Sequence, residues 1–335
     1  MRIAFPHYFK DFACIAGACP DSCCKEWAVD VDPQAAEFYR QLPGDLGDRL
    51  RAVLTDTEDG TQMEIENGRC PMWRQDGLCR IQAELGHDAL CKTCREFPRL
   101  RHDYGSFVEL GLELSCPEAA RLILSAPDFR WEYGEETGGE EPDYDPEIMA
   151  ILLESRKQAL AFLSGGQYSP GEALAILLLY GHTIQGALDG GEGTDLDPED
   201  CLTAAKTYAV QGDCEALVAF FKELEILTPQ WKQRLEAPQP RFCESETLLP
   251  LARYLISRYW LQAVSDYDLV CRVKLTVAAC LLVGSLGGDP IQTAQLFSKE
   301  IENDPDNVES ILDGAYTSPA LSDANLLGIL LAKNL

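Results

Sequence analysis

The sequence predicts a mainly α protein whose N-terminal third is a cysteine-rich metal-binding region with short strands. Three observations carry this. Nine of the 14 cysteines lie before residue 117. Alternating apolar patterns of strand length occur only in that part. Beyond residue 148 the chain is a succession of capped, apolar-periodic helical segments. The 335 residues suffice for a sizeable core in one large domain or two smaller ones. The expected division is a cysteine-rich region over 1–130, an acidic linker or surface loop over 131–147, and a helical region over 148–335.

In the first region "WAVDVD" (from Trp27) and "VELGLEL" (from Val108) alternate as half-buried strands do, with Val108, Leu110, Leu112 and Leu114 on one face. The stretch "EYGEETGGEEPDYDPE" (from Glu132) is acidic and nearly without aliphatics, hence solvated. After it, Ser169, Pro170 and Glu172 form a capping box with proline at the first helical position. Asp197–Pro198, Asp213 and Asp289–Pro290 open further helices, and "ETLLPLARYLISRYWLQAV" and "YDLVCRVKLTVAACLLVGSL" are longer apolar-periodic runs. Such helices must bury their faces on one another, so an all-α packing follows.

The formal charge of −27 is uneven, with 16 acids against 2 bases over residues 131–200. A chain this acidic is unsuited to nucleic acid, where phosphate neutralisation dominates affinity. The start lacks a secretory h-region and no apolar run reaches membrane-span length, so a cytoplasmic protein without a membrane partner is expected. In a reducing compartment clustered thiols bind metal or do redox chemistry rather than form structural disulfides.

The candidate ligands begin with "CIAGACPDSCC": Cys14, Cys19, Cys23 and Cys24, followed by Cys70, Cys79, Cys91, Cys94 and Cys116. Thiolate suits zinc and iron–sulfur clusters, each of which favours four ligands. Adjacent side chains diverge, so Cys23 and Cys24 should serve different sites, or one should stand behind the other. The zinc-ribbon pattern is not met, since Cys91/Cys94 is the one Cys-x2-Cys pair. The plant-ferredoxin spacing fails by one residue, and the radical-SAM triplet is absent. Iron–sulfur, 4Fe–4S foremost, is therefore preferred to zinc. Cys201, Cys214, Cys243, Cys271 and Cys280 lack chelate spacing and are expected not to be ligands, Cys271 and Cys280 being buried in helices. Arg95 and Arg99 stand beside the thiols in sequence and would offset an anionic cluster. His182, in an apolar run, is expected in the core, whereas His87 and His102 flank Cys91/Cys94 and could replace a thiolate. "DGGEGTD" (from Asp189) is similar to a methyl-donor glycine loop, but it follows a helix rather than a strand and reads as an interhelical loop. "GSLGGD" (from Gly284) reads as a glycine helix end.

"FACIAGACPDSCCKEWAVDVD", "GRCPMWRQDGLCRIQAELG", "TCREFPR" and "LSCPEAARLIL", with "LFSKEIENDPDNVESI" near the far end, resemble the successive motifs of the flagellin lysine N-methylases, relatives of cysteine-rich proteins thought to chelate zinc or iron. The resemblance implies S-adenosylmethionine as methyl donor, flagellin lysines as substrate and a cysteine-ligated metal. Carried onto this chain, the family's cysteines fall on Cys14, Cys19, Cys23, Cys24, Cys70, Cys79, Cys94 and Cys116. Cys91 stands where the family has proline and is read as an auxiliary thiol. Met72–Trp73 replaces an apolar pair and keeps its character. The other readings open at this point are a non-catalytic zinc- or iron-binding module and an iron–sulfur electron-transfer protein.

Overall fold

The computed structural model describes residues 1–25, 28–58, 60–236 and 240–332. Helix is the dominant element, and among the described residues the strands lie within the first 135: β1 (Arg2–Pro6), β2 (Val29–Val31), β3 (Leu54–Thr57), β4 (Gly60–Met63), β5 (Arg99–Asp103), β6 (Phe107–Leu112) and β7 (Trp131–Glu135). No helix among the described residues is long and apolar enough to cross a membrane.

Two hydrophobic cores organise the chain. The smaller belongs to the cysteine-rich part. There β2, β4 and β3 form an antiparallel sheet in that order, with Met63 of β4 opposite both Val29 and Leu54. The alternation of "VDV" buries Val29 and Val31 and leaves Asp30 outside. Trp27, which opened the predicted strand, lies outside the described residues. The helices Pro33–Gln41 and Gly44–Val53 close over this sheet through Tyr39 and Leu50, both fully buried. Cys70, Met72, Leu90 and Cys91 complete the same core.

The larger core joins a four-stranded sheet to the helical region. Its order is β5–β6–β1–β7, with β1 parallel to β6 and antiparallel to β7. Within the stretch read as linker or loop, Trp131–Glu135 is thus an edge strand, because five residues with Trp131 and Tyr133 in alternation can pair along β1. The packing carries on past residue 130: Tyr8, Phe107, Leu112 and Leu114 share one core with Leu152, Leu174 and Leu255. The strand expected from Val108 starts at Phe107, and its other face is also covered. Glu109, on that face, is buried in an ion pair with Arg156. Burying either charge alone would cost several kcal/mol, so the pair stands or falls together.

The helical region follows its caps. Ser169 and Glu172 make the reciprocal capping box at the head of Pro170–Leu188. Asp197, Asp213 and Asp289 each accept backbone N–H groups at the heads of Pro198–Tyr208, Cys214–Lys222 and Pro290–Phe297. The most deeply buried helix, Val270–Ser285, carries Cys271 and Cys280 inside. After Phe297 the chain widens into a π-helical turn, Ser298–Glu302. This turn aims Glu302 into the core, where its carboxylate accepts the Tyr254 and Tyr259 hydroxyls at 3.1 and 3.0 Å and pairs with Arg258. One extra residue in a helix re-aims side chains in this way.

His182 is a correction to the sequence reading. It is exposed rather than in the core, and its Nε2 lies 3.1 Å from Asp323. It lies on the outward side of a helix that is apolar nearly all round, so the run of apolar neighbours masked its direction.

Candidate metal centre

Three segments bring eight of the early cysteines together, and Cys116, just ahead of helix Pro117–Leu124, joins them from a fourth. The first is the loop from Cys14 to Cys24, which contains a short 3-10 turn, Ala16–Ala18, with Ala16 at φ +49°. The Ala16 N–H lies 3.4 Å from Cys14 Sγ, and Cys19 Sγ donates to the Asp21 carbonyl at 3.2 Å. The second is the Cys70–Cys79 excursion, tied back by the Cys70 N–H to the Cys24 carbonyl at 2.9 Å and by a bridge between Trp73 and Cys79. The Arg69 guanidinium covers the Trp73 ring at 3.9 Å. The third is the Cys91–Cys94 turn. Asp32 Oδ2 accepts the Lys92 N–H there at 2.7 Å, and Thr93 Oγ1 donates to the Asp30 carbonyl at 2.9 Å.

The thiols fall into two neighbourhoods. Cys23 lies within electrostatic reach of Cys14 and Cys116, and Cys116 within reach of Cys19 and Cys14. Cys24 is instead a neighbour of Cys70, Cys79 and Cys94, and Cys91 is a neighbour of Cys70, Cys79 and Cys94. Cys23 and Cys24 hydrogen-bond to one another across the boundary. The first group is therefore Cys14, Cys19, Cys23 and Cys116, and the second Cys24, Cys70, Cys79, Cys91 and Cys94. Cys91, read as auxiliary, is buried and hydrogen-bonded to Cys94 within the second group.

The electrostatics follow from this crowding. The hydrogen bond from Cys23 brings the Cys24 thiol down to about 7, and the same bond, with burial and the charges of Cys24, Cys14 and Cys116, drives Cys23 up. Cys91 and Cys94 repeat the pattern, with Cys91 near 7 because Cys94 donates to it. Burial pushes Cys70 up to about 12 and Cys116 up to about 11. Among the described residues no three His, Cys, Asp or Glu side chains are drawn together tightly enough to hold an ion as they stand, and no disulfide joins the cysteines.

The donor chemistry nevertheless fits a thiophilic metal. Cys79, Cys91 and Cys116 each occupy the position before a helix: Arg80–Leu85, Lys92–Glu96 and Pro117–Leu124. Backbone N–H groups of the following turn act on their sulfurs against the effect of burial, Gln82 and Ile81 on Cys79, Cys94 on Cys91 and Ala119 and Glu118 on Cys116, without closing a cap hydrogen bond at any of the three. Donors aimed at sulfur favour thiolate, the metal-binding form. Sequence reasoning missed this, although "CPEAARLIL" carries the signal, a cysteine followed by proline at the first helical position.

Other candidates fall elsewhere. His102 is half-buried with Glu109, Arg156 and Arg258 as its charged neighbours, and His87 is exposed beside Asp88. Arg95 reaches toward the Leu90 carbonyl next to Cys91, but Arg99 lies over the Phe12 ring. Of the later cysteines, Cys271 and Cys280 are buried, Cys201 and Cys214 half-buried and Cys243 exposed. The "DGGEGTD" segment is an interhelical loop, pinned by the Tyr180 hydroxyl on the Thr194 carbonyl.

One acid links the thiol loop to the helical region. Asp21 accepts Lys25 Nζ at 2.7 Å, Gln295 Nε2 at 3.0 Å and Lys299 Nζ at 3.3 Å. Burial works to raise its pKa, but Lys25, Lys299 and Gln295 together hold it below the usual carboxylate range.

A mainly α fold carrying two groups of clustered thiols defines a cysteine-rich class of protein. Comparison narrows it. The chain is 33% identical over 141 residues to the flagellar biosynthetic protein FliU of Salmonella muenchen, a match that covers 38% of this chain and 80% of FliU. It is 34% and 33% identical, over 141 residues each, to the lysine-N-methylases of Salmonella choleraesuis (strain SC-B67) and Salmonella typhimurium (strain LT2). Those two matches cover 38% of this chain and about a third of each relative's length (34%). No family model and no solved structure matches. The chain belongs to the family of these lysine N-methylases and FliU.

Proposed function

We propose that the protein is a lysine N-methyltransferase that moves methyl groups from S-adenosylmethionine to lysine side chains of flagellin. The observation that supports this most directly is the family membership, with relatives named for lysine methylation and for flagellar biosynthesis. The thiol groups would hold a metal, an iron–sulfur cluster in preference to zinc. Cys14, Cys19, Cys23 and Cys116 are one candidate shell, and Cys24, Cys70, Cys79 and Cys94, with Cys91 beside them, are the other. Such a centre supplies folding free energy to a region with little core of its own.

The reaction itself is polar. A lysine ammonium, with a reference pKa of about 10.4, first gives its proton to water or a base. The freed Nζ lone pair then forms the N–CH3 bond as the C–S bond of the donor breaks. The electron pair stays on sulfur, and S-adenosylhomocysteine leaves. Nitrogen already carries the pair that makes the bond, so no radical is needed. Because only the neutral amine reacts, the rate rises with pH until the amine is free or another group titrates.

The test is protein purified without oxygen, incubated with flagellin and methyl-labelled donor in the absence of reductant. Methylated lysine and S-adenosylhomocysteine in equal amounts are expected. Formation of 5′-deoxyadenosine, or strict dependence on a strong reductant, defeats the polar route. No transfer under either condition, with metal bound, favours a metal-binding module instead.

A further inference from the structure

The two thiol groups are anchored differently. Cys70 and Cys91 of the second group are buried in the smaller core, and Cys24 and Cys79 pack against it. The Tyr39 hydroxyl ties that core to the Ala89 carbonyl at 2.8 Å, just ahead of Cys91. The first group is split. Cys116 is buried in the larger core, whereas Cys14, Cys19 and Cys23 belong to neither core. Bringing thiols so distant in sequence to one ion carries a loop-closure cost. A contact that already holds the two segments together lowers that cost for the metal.

One amide touches both segments. Gln295, on helix Pro290–Phe297, is 6% exposed. Its Nε2 donates to the Ser115 carbonyl at 2.6 Å and to Asp21 Oδ2 at 3.0 Å. Ser115 immediately precedes Cys116, and Asp21 stands between Cys19 and Cys23. A side-chain amide has two N–H donors, so both protons of Gln295 are directed at the two segments that carry the first group. The residue reaches them from 180 and 274 positions away. Lys299, one turn further on, strengthens the hold on Asp21 at 3.3 Å.

We propose that Gln295 is the positioning residue of the first thiol group, holding the Cys19–Cys23 segment against the Cys116 segment so that Cys14, Cys19, Cys23 and Cys116 share one metal centre. The assignment rests on the metal-binding reading above. Gln295 acts through the Ser115 carbonyl and the Asp21 carboxylate, not as a ligand. Groups that orient ligands from behind in this way typically change metal affinity about 10–100-fold when removed. The helical region thus takes part in assembling the first centre, whereas the second is held within the smaller core and forms without it.

The test uses the full chain purified without oxygen. Iron and zinc are measured by elemental analysis, and each cysteine is followed by timed iodoacetamide alkylation with peptide mass mapping, because metal-bound thiols resist alkylation. Gln295→Met, close in volume but without donors, should lose the metal of the first group. Cys14, Cys19, Cys23 and Cys116 should then alkylate at least tenfold faster than in wild type, while Cys24, Cys70, Cys79 and Cys94 stay protected. Asp21→Ala removes the same tie from the loop side and should give the same pattern, which keeps the test open if Gln295→Met folds poorly. Gln292→Ala, exposed on the same helix, should match wild type. Wild-type protection of all eight thiols in both Gln295→Met and Asp21→Ala overturns the assignment. So does equal loss from both groups, which would make Gln295 a contributor to the fold as a whole, and so does a wild-type protein whose metal protects the second group alone. A wild-type protein holding neither iron nor zinc defeats the metal reading itself and takes the assignment with it.

Discussion

Asp32 Oδ2 accepts the backbone N–H of Lys92 at 2.7 Å, while its Oδ1 accepts the N–H of Ala35. One carboxylate thus heads two helices 60 residues apart, Pro33–Gln41 and Lys92–Glu96. The second carries Cys94, with Cys91 just ahead of it. The Lys92 hydrogen bond, outweighing the cost of burial, holds the Asp32 pKa below its usual range.

Asp32→Ala should therefore cost about 0.5–2 kcal/mol as a lost cap and also loosen the Cys91–Cys94 turn. Urea denaturation should show the stability loss, and metal analysis a reduced content. Asp32→Asn, which keeps an acceptor for one of the two N–H groups, should fall between. Full metal content in Asp32→Ala would show that the turn is held by other contacts.

Cys23→Ser and Cys94→Ser, one from each thiol group, should lower both metal content and soluble yield, because metal binding is folding free energy. Cys271→Ala and Cys280→Ala should leave the metal unchanged and cost about 1 kcal/mol for the small cavities they open. Metal loss from either of the last two, with helicity intact, would contradict the division of the cysteines.

Glu109→Ala strands the Arg156 guanidinium, whose side chain is 4% exposed. A loss of about 3–5 kcal/mol is expected from an uncompensated buried charge. The double variant Glu109→Leu/Arg156→Met should recover much of it. Thermal unfolding of the three proteins decides this, and equal midpoints for the single and double variants would remove the pairing argument.

Glu300 is fully buried, accepts the Leu227 and Thr228 N–H groups on Oε2, and has a pKa raised by burial. A raised carboxyl pKa means that folding favours the protonated form. The folded state is then penalised as pH climbs above the unfolded value of about 4.3 and the group must ionise inside the protein. Glu300→Gln keeps an acceptor and removes the charge. Its stability relative to wild type should grow as pH rises from 4 toward 7, followed by denaturation at each pH. A constant difference would mean that Glu300 does not titrate in that window.

Much of the helical region could be read from local chemistry. Ser169, Asp197, Asp213 and Asp289 cap where their sequence patterns place them, since a cap needs only its own first turn. Features set by distant partners were hidden. Glu109 looks like a solvent-side strand residue until Arg156, 47 positions away, covers it. Trp131–Glu135 looks like part of an acidic loop until β1 offers it an edge. The cysteines stand out as a set by their density, but their division into two groups depends on how four separate segments meet, and spacing alone does not encode that.

The placement of β1 has a consequence for how the chain is made. Arg2 pairs with Phe107 on one side and with Glu135 on the other, so the first strand leaves the ribosome more than a hundred residues ahead of the partners that flank it. The same holds for the thiols. Cys14, Cys19 and Cys23 emerge early, but their companion Cys116 arrives only after all five cysteines of the second group have been made. Contacts of such long range must bear their loop-closure entropy before they return any stability. During that interval the early thiols of the nascent segment stand without the partner that completes their group.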